Sequence, residues 1–159
     1  MDVKILVMFL GKTDKNYIKD GIEDYLNRIK YYIPIDVQII PELKNNSNLT
    51  VELQKEKEGQ LILSHINKGD QLVLLDEKGT EYSSLQFSKW IEKNMVSSIR
   101  QLVFVIGGPY GFPDSVYQRA DHKISLSKFT FSHQMVRMIF VEQLYRAMTI
   151  IRNEPYHHQ

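Results

Sequence analysis

The C-terminal third of the chain contains most of the side chains that could move protons or bind anions. Residues 117–159 have six Lys or Arg against three Asp or Glu, and four of the five histidines. This segment carries a net charge of +3, whereas the rest of the chain carries −2. A local basic surface can attract phosphate groups even when the whole chain carries only +1. A solvated face without a ligand is the alternative interpretation of the same charges.

His133 and Arg137 are the pair best suited to chemistry on a weakly acidic group. An imidazole titrates near neutral pH and can act as a general base, and a guanidinium can stabilise developing negative charge. We predict the longest helix over residues 133–152, which places the two side chains within about 40° of each other. A histidine bonded to backbone at the helix start is the alternative for His133. Glu142 and Arg146 are predicted to form an i,i+4 ion pair on the opposite side.

Three loops rich in small and polar residues each follow a predicted strand. Their sequences are Leu75-Asp76-Glu77-Lys78-Gly79, Gly107-Gly108-Pro109-Tyr110-Gly111 and Leu126-Ser127-Lys128-Phe129-Thr130-Phe131. Ligands of open α/β sheets bind outside the carboxyl ends of the strands, so the loops are expected at one edge. Glycines there permit close backbone approach and positive φ, although a tight turn also explains Gly-Gly-x-x-Gly. Such loops suit a neutral or zwitterionic cofactor with an adenine and a ribose better than a triphosphate.

The elements that must position these residues alternate between strand and helix. We predict strands over residues 3–10, 35–40, 71–75, 102–106 and 123–126. Helices are predicted over 17–29, 51–67 and 133–152, from a capping box at Ser83 through Val96, and in a short segment at Pro113, with a polar loop at 44–49. This alternation is typical of an α/β fold, with a mostly parallel sheet and helices on both faces. No linker or repeat interrupts it, so residues 1–159 are predicted to form a single domain.

Composition excludes several other classes of protein. The 159 residues include no cysteine, which excludes disulfides, thiolate zinc sites and cysteine nucleophiles. The histidine spacings match no common zinc pattern, so no metal is expected. No apolar run approaches the ~20 residues that a membrane span needs, and the N-terminus lacks the features of a signal peptide. We therefore expect a cytoplasmic protein without a membrane partner.

The last predicted helix is apolar around most of its circumference. Such a helix is buried on several sides. Since a chain of this length has little structure with which to cover it, we expect a homodimer that packs through this helix.

Several sequence runs resemble one known family in the same order. They are KEG at 57–59, LD at 75–76, VFVIGGPYG at 103–111, SLSKFTFSHQMVR at 125–137, EQLYRA at 142–147 and PYH at 155–157. Together they resemble the ribosomal RNA large-subunit methyltransferase H family over nearly its full length. The resemblance implies a SPOUT fold with a C-terminal trefoil knot, working as a homodimer. It also implies methylation of N3 of a pseudouridine in large-subunit (23S) ribosomal RNA with S-adenosylmethionine.

The resemblance assigns roles to residues at two places. It implies that the cofactor is bound by Leu75, Gly107, Leu126, Ser127, Lys128, Phe129, Thr130 and Phe131. It implies that the C-terminal Tyr156 and His157 are held near these loops, where the ring of Tyr156 could stack on a flipped base and His157 could be a second candidate base. His158 stands where the family commonly has Lys or Arg, so the terminal charge is titratable here. The substrate could be free RNA, the large subunit or the whole ribosome.

Two other functions remain compatible with the residues themselves. One is a non-catalytic RNA- or nucleotide-binding module that uses the same basic tail and glycine loops. The other is an enzyme with another adenine cofactor, such as a flavodoxin-like reductase. Binding of S-adenosylmethionine distinguishes the methyltransferase from the module, and flavin absorbance would indicate the reductase.

Overall fold

The computed structural model describes residues 3–43 and 49–158 of the chain. The elements in order are β1 (Lys4–Leu10), α1 (Asn16–Ile29), β2 (Ile35–Ile40), α2 (Val51–Leu63), β3 (Gln71–Glu81), α3 (Ser84–Met95), β4 (Gln101–Ile106), α4 (Asp114–Arg119), β5 (His122–Ser125) and α5 (Met135–Ile151). The five strands form one sheet in the order β2-β1-β4-β3-β5, and every pairing is parallel. The predicted α/β class with a parallel sheet is confirmed.

Both faces of the sheet are covered, because its strands are apolar on both sides. In β1, Ile5, Val7 and Phe9 pack into a cluster with α1, α3 and α5, whereas Met8 and Leu10 pack into a second cluster with α2 and α4. Continuous apolar strands of this kind are typical of parallel sheets that are buried on both faces. The prediction of helices on both faces is therefore confirmed.

Strand β3 is longer than predicted. Its residues pair with β5 up to Leu75, and after a break in register the pairing resumes at Thr80. The residues between them were expected to form a loop only. A Cβ at Gly79 would lie 2.6 Å from the backbone nitrogen of Ile124. Because glycine has no Cβ, strands β3 and β5 can come close together here. Close approach to β5 thus explains a glycine that we had interpreted as part of a turn.

Two helix boundaries differ from the prediction by two residues or more. Helix α2 ends at Leu63 instead of residue 67, where the Ser64 hydroxyl bonds back to the carbonyl of Leu61 at 2.6 Å. Helix α5 begins at Met135 instead of His133, because the Ser132 hydroxyl accepts the N–H of Met135 at 3.1 Å and holds a turn before the helix.

Other predictions about elements have mixed outcomes. The capping box at Ser83 is present, with Ser83 and Gln86 bonded reciprocally. Of the loop predicted at 44–49, residues 44–48 lie outside the described residues. The trefoil knot stays a prediction. None of the helices in the described ranges is long and apolar enough to cross a membrane.

Candidate functional site

A cavity of about 590 Å³ opens at the carboxyl ends of β3, β4 and β5. Its floor is formed by Leu75, where the first part of β3 ends, by Ile106 at the end of β4 and by Ile124 of β5. Its walls are the three predicted loops, together with Tyr117 of α4 and Val136 in the first turn of α5. The volume lies within the usual range for small-molecule sites, and apolar residues dominate the floor.

Most of the predicted cofactor-binding residues line this cavity. They are Leu75, Gly107, Leu126, Ser127, Phe129, Thr130 and Phe131. Lys128 is exposed and does not line it. Of the predicted catalytic residues, His133 lines the cavity, whereas Arg137, Tyr156 and His157 do not.

Gly107 is needed for a reason other than the one we expected. Positive φ occurs at Gly111, with φ of 77°, and not at Gly107. A Cβ at Gly107 would lie 2.8 Å from Cζ of Phe112, whose ring is buried under the glycine loop. The missing side chain thus makes room for the Phe112 ring as well as opening the wall of the cavity.

A tyrosine–aspartate pair, which the sequence did not reveal, forms part of the wall. The Tyr117 hydroxyl donates to Oδ2 of Asp76, and the backbone N–H of Lys78 donates to Oδ1 at 2.8 Å. Burial, reinforced by the bond to Asp76, raises the pKa of Tyr117 to about 12, so the hydroxyl stays protonated at neutral pH. The pair therefore holds one carboxylate in a fixed position in the cavity wall. The only signal in the sequence was an acid directly after a strand, where we had selected Leu75 alone.

His133 is exposed at the cavity edge, in the turn that precedes α5. The next residue, Gln134, ties this turn to the loop after β1. Its Oε1 accepts the N–H of Asp14 at 2.8 Å, and its Nε2 donates to the carbonyl of Lys12 at 3.2 Å. The position of His133 therefore depends on the hydrogen bonds of Gln134, because His133 itself lies outside α5.

Arg137 lies inside the protein and its guanidinium faces the end of β1. Its side chain is 1% exposed, and it donates to the carbonyls of Leu10 at 2.7 Å and Gly11 at 3.0 Å. It also donates to Oγ1 of Thr13 at 3.0 Å and lies over the ring of Phe9. Burial lowers the pKa of this guanidinium. The expected pairing with His133 on one helix face is absent, because His133 precedes the helix and Arg137 is turned inward.

The C-terminal residues are held against the second half of α5. The Tyr156 hydroxyl donates to Oε2 of Glu142 at 2.7 Å, and Nη2 of Arg146 donates to the same oxygen at 2.7 Å. Nη1 of Arg146 lies 3.0 Å from Nδ1 of His157, and Tyr156 packs edge-on against Tyr145. The i,i+4 ion pair is confirmed. Within one chain the tail contacts this helix and not the cavity loops, so its place near those loops stays a prediction.

The sequence and the fold are both similar to those of known proteins. The sequence pattern of the family described as "Predicted SPOUT methyltransferase" matches residues 2–157, which defines the class as SPOUT methyltransferases. A solved structure titled "Crystal Structure of Probable Methyltransferase from Bordetella pertussis Tohama I" superimposes with a TM-score of 0.57. It covers 92% of this chain and 95% of that chain at 7% identity, and therefore supports the fold alone.

Two relatives of known name show which family within the SPOUT methyltransferases this chain belongs to. The chain is 57% identical to "Ribosomal RNA large subunit methyltransferase H" of Parabacteroides distasonis over 99% of this chain and 100% of the relative. It is 54% identical to the protein of the same name from Flavobacterium johnsoniae over the full length of both. The chain belongs to the ribosomal RNA large subunit methyltransferase H family.

Proposed function

We propose that this protein transfers a methyl group from S-adenosylmethionine to N3 of a pseudouridine in the large-subunit ribosomal RNA. The observation that carries the proposal is the cavity at the carboxyl ends of β3, β4 and β5, with His133 at its edge. We further propose that residues 1–159 act as one domain in the cytoplasm.

The residues of the cavity fit a zwitterionic adenosine cofactor. The floor of Leu75, Ile106 and Ile124 offers an apolar surface for a purine, and the glycine loop leaves backbone groups accessible. The carboxylate of Asp76 offers a negative charge to a sulfonium or an ammonium group. When bound, the cofactor supplies an electrophilic methyl carbon. In our proposal Leu75, Gly107 and the run from Leu126 to Phe131 hold it, with Lys128 contributing from outside the cavity.

His133 is proposed as the general base of the reaction. N3 of a uracil-type ring is a weakly acidic imide, so it must lose its proton before it can attack a methyl group. A neutral imidazole at the edge of the cavity can accept that proton, and such catalysis contributes roughly 10²–10⁴-fold. Arg137, buried behind the turn, would act by holding the end of β1 and the start of α5 together and not by touching the ring.

A homodimer is proposed because the predicted catalytic groups lie far apart within one chain. From Met135 to Arg146, α5 rises about 16 Å at ~1.5 Å per residue, so the tail bound to Arg146 is distant from the cavity edge. Helices α1 and α3 cover two sides of α5. Ile139 and Ile150 of α5 are half-buried within one chain, and we propose that a second copy packs on the strip that contains them. Packing through this strip would bring the tail of one copy towards the cavity of the other.

Methyl transfer from labelled cofactor to ribosomes tests the reaction. The ribosomes come from cells that lack the family's methyltransferase, and mass spectrometry of the RNA locates the new methyl group. We expect transfer by the wild type, and a fall in kcat of at least roughly a hundredfold for His133→Ala with unchanged cofactor affinity. Cofactor binding without transfer to any ribosomal fraction would refute the proposed reaction.

Mixed dimers test the arrangement of the two copies. A His133→Ala chain is co-expressed with a chain that lacks residues 156–159, and the heterodimer is purified with two different tags. If each site combines one copy's cavity with the other's tail, one site of the heterodimer is intact and about half of the wild-type activity returns. A heterodimer as inactive as both parents would contradict the shared site.

A further inference from the structure

The loop after β1 and the first turn of α1 form an exposed basic segment, residues 12–19, which we call the lysine segment. It contains Lys12, Lys15 and Lys19, all exposed, against the acid Asp14, and the exposed Asp20 follows it directly. Lys15 is the N-cap residue of α1 and Lys19 lies in its first turn, so both charges are at the N-terminal end of this helix. Tyr17, two residues from each of them in sequence, is 63% exposed on another side of the helix.

The lysine segment is fixed relative to the candidate base. Gln134, the residue after His133, bonds the carbonyl of Lys12 and the N–H of Asp14. Arg137 bonds the carbonyl of Gly11 and the hydroxyl of Thr13 at the start of the same loop. Four hydrogen bonds therefore connect this loop to the turn and first helical residues that follow the cavity edge. Neither Lys12 nor Lys15 lines the cavity, so binding a small cofactor does not account for them.

We propose that the lysine segment is a docking surface for the RNA backbone, held in register with His133 by Gln134 and Arg137. This inference rests on the proposed function, because it takes the substrate to be RNA. Exposed ammonium groups bind a phosphate backbone, and a solvent-facing aromatic ring on the same helical turn can stack an unpaired base. The negative charge of Asp14 is shared between the exposed lysines and the buried Arg137, because its carboxylate also interacts with that guanidinium. An RNA bound to the lysine segment would hold its target base at a fixed distance from the cavity.

A pair of double variants tests the docking surface. Lys12→Ala with Lys15→Ala removes two charges from the segment, and Lys89→Ala with Lys93→Ala removes two exposed charges from α3 as the matched control. Binding is measured with ribosomes from cells that lack the methyltransferase, over a series of salt concentrations. We expect the first variant to bind at least about tenfold more weakly at ~0.1 M salt, with the slope of log K against log salt reduced by about one to two. We expect the control pair to bind within about twofold of the wild type.

Two results would overturn the docking surface. One is equal ribosome affinity and equal salt slope for the lysine variant and the control. The other is a weakened dimer in analytical ultracentrifugation with ribosome affinity per dimer unchanged, which would make the segment a protein interface. Methyl transfer by the wild type is measured on the same ribosomes, so a failure of the proposed reaction is seen separately from a failure of the docking surface.

Gln134→Ala tests the connection to His133. This variant keeps every lysine but removes two of the bonds that fix the loop. We expect ribosome affinity and cofactor affinity near those of the wild type and a kcat about tenfold lower. A variant with normal kcat would show that the register between the segment and His133 is unimportant.

Discussion

Replacing Arg137 with methionine should destabilise the protein without changing its affinity for the cofactor. Arg137 donates three hydrogen bonds, to the carbonyls of Leu10 and Gly11 and to the hydroxyl of Thr13. Methionine is shorter and has no donor, so all three acceptors lose their partner in a buried region and the space of the guanidinium is left unfilled. The variant therefore isolates the bonds that join the end of β1 to α5.

The magnitude follows from the surroundings of the guanidinium. Hydrogen bonds from charged groups contribute about 1.5–3 kcal/mol each, and three of them give about 5–9 kcal/mol before any offset. The substitution also removes a buried charge, whose desolvation costs several kcal/mol, as the lowered pKa of Arg137 indicates. Because the buried charge is removed together with its bonds, we expect a net loss of about 2–4 kcal/mol, below the sum for three bonds. At ~2–4 °C per kcal/mol for a chain of this size, Tm should fall by about 5–15 °C.

Urea unfolding followed by circular dichroism measures this loss, with Thr13→Val as the matched variant. Thr13→Val removes one acceptor but leaves the guanidinium its two carbonyls, so we expect it to cost about 1 kcal/mol. Arg137→Lys keeps the charge without the planar fork and should lie between the wild type and Arg137→Met. An Arg137→Met protein within about 0.5 kcal/mol of the wild type would refute the reasoning. Wild-type stability with lost turnover would instead place Arg137 in the chemistry.

Three further predictions concern the cavity and the tail. Gly107→Val should destabilise the fold by about 1–3 kcal/mol, because the new side chain meets the buried ring of Phe112. It should also weaken cofactor binding in calorimetry, and unchanged affinity would exclude a role for Gly107 in the cofactor site. The pKa of Tyr117 is raised from 10.0 to about 12, so the folded protein keeps a proton that the unfolded chain loses, and stability falls as the pH rises from about 10 to about 12. Tyr117→Phe should lose less stability over that range in denaturant titrations, and an identical loss would mean that burial and the bond to Asp76 do not raise the pKa of Tyr117 in solution. Deleting residues 156–159 should lower turnover on ribosomes at least about tenfold with little change in cofactor affinity, whereas normal turnover would leave the tail without a catalytic role.

The sheet was predictable because its signals are local. Apolar runs such as residues 102–106 and the capping box at Ser83 depend only on neighbours in sequence. The place of the cavity followed from a general property of parallel sheets, that strand ends share an edge. Loops chosen from the sequence therefore line one cavity.

The directions of individual side chains were not predictable in the same way. Helical periodicity gave an angle between His133 and Arg137 but not the residue at which the helix starts, which depends on the bond from Met135 to Ser132. The inward turn of Arg137 depends on the free carbonyls at the end of β1, more than a hundred residues earlier in the chain. Gly79 looked like a turn residue because its real constraint, the backbone of β5, is remote in sequence. Contacts of this kind leave no pattern in a single sequence.

The strand order has a consequence for how this chain folds during its own synthesis. Strand β1 pairs with β4, joining Lys4 to Gln101, so the centre of the sheet cannot form until most of the chain has been made. At about 5–20 residues per second this takes on the order of 5–20 s. The apolar face of α1 stays uncovered even longer, because its partner α5 is translated last. This face contains Ile18, Ile22 and Ile29. Nascent chains should therefore bind a holdase chaperone through α1 until translation ends, and should gain protease resistance in one late step.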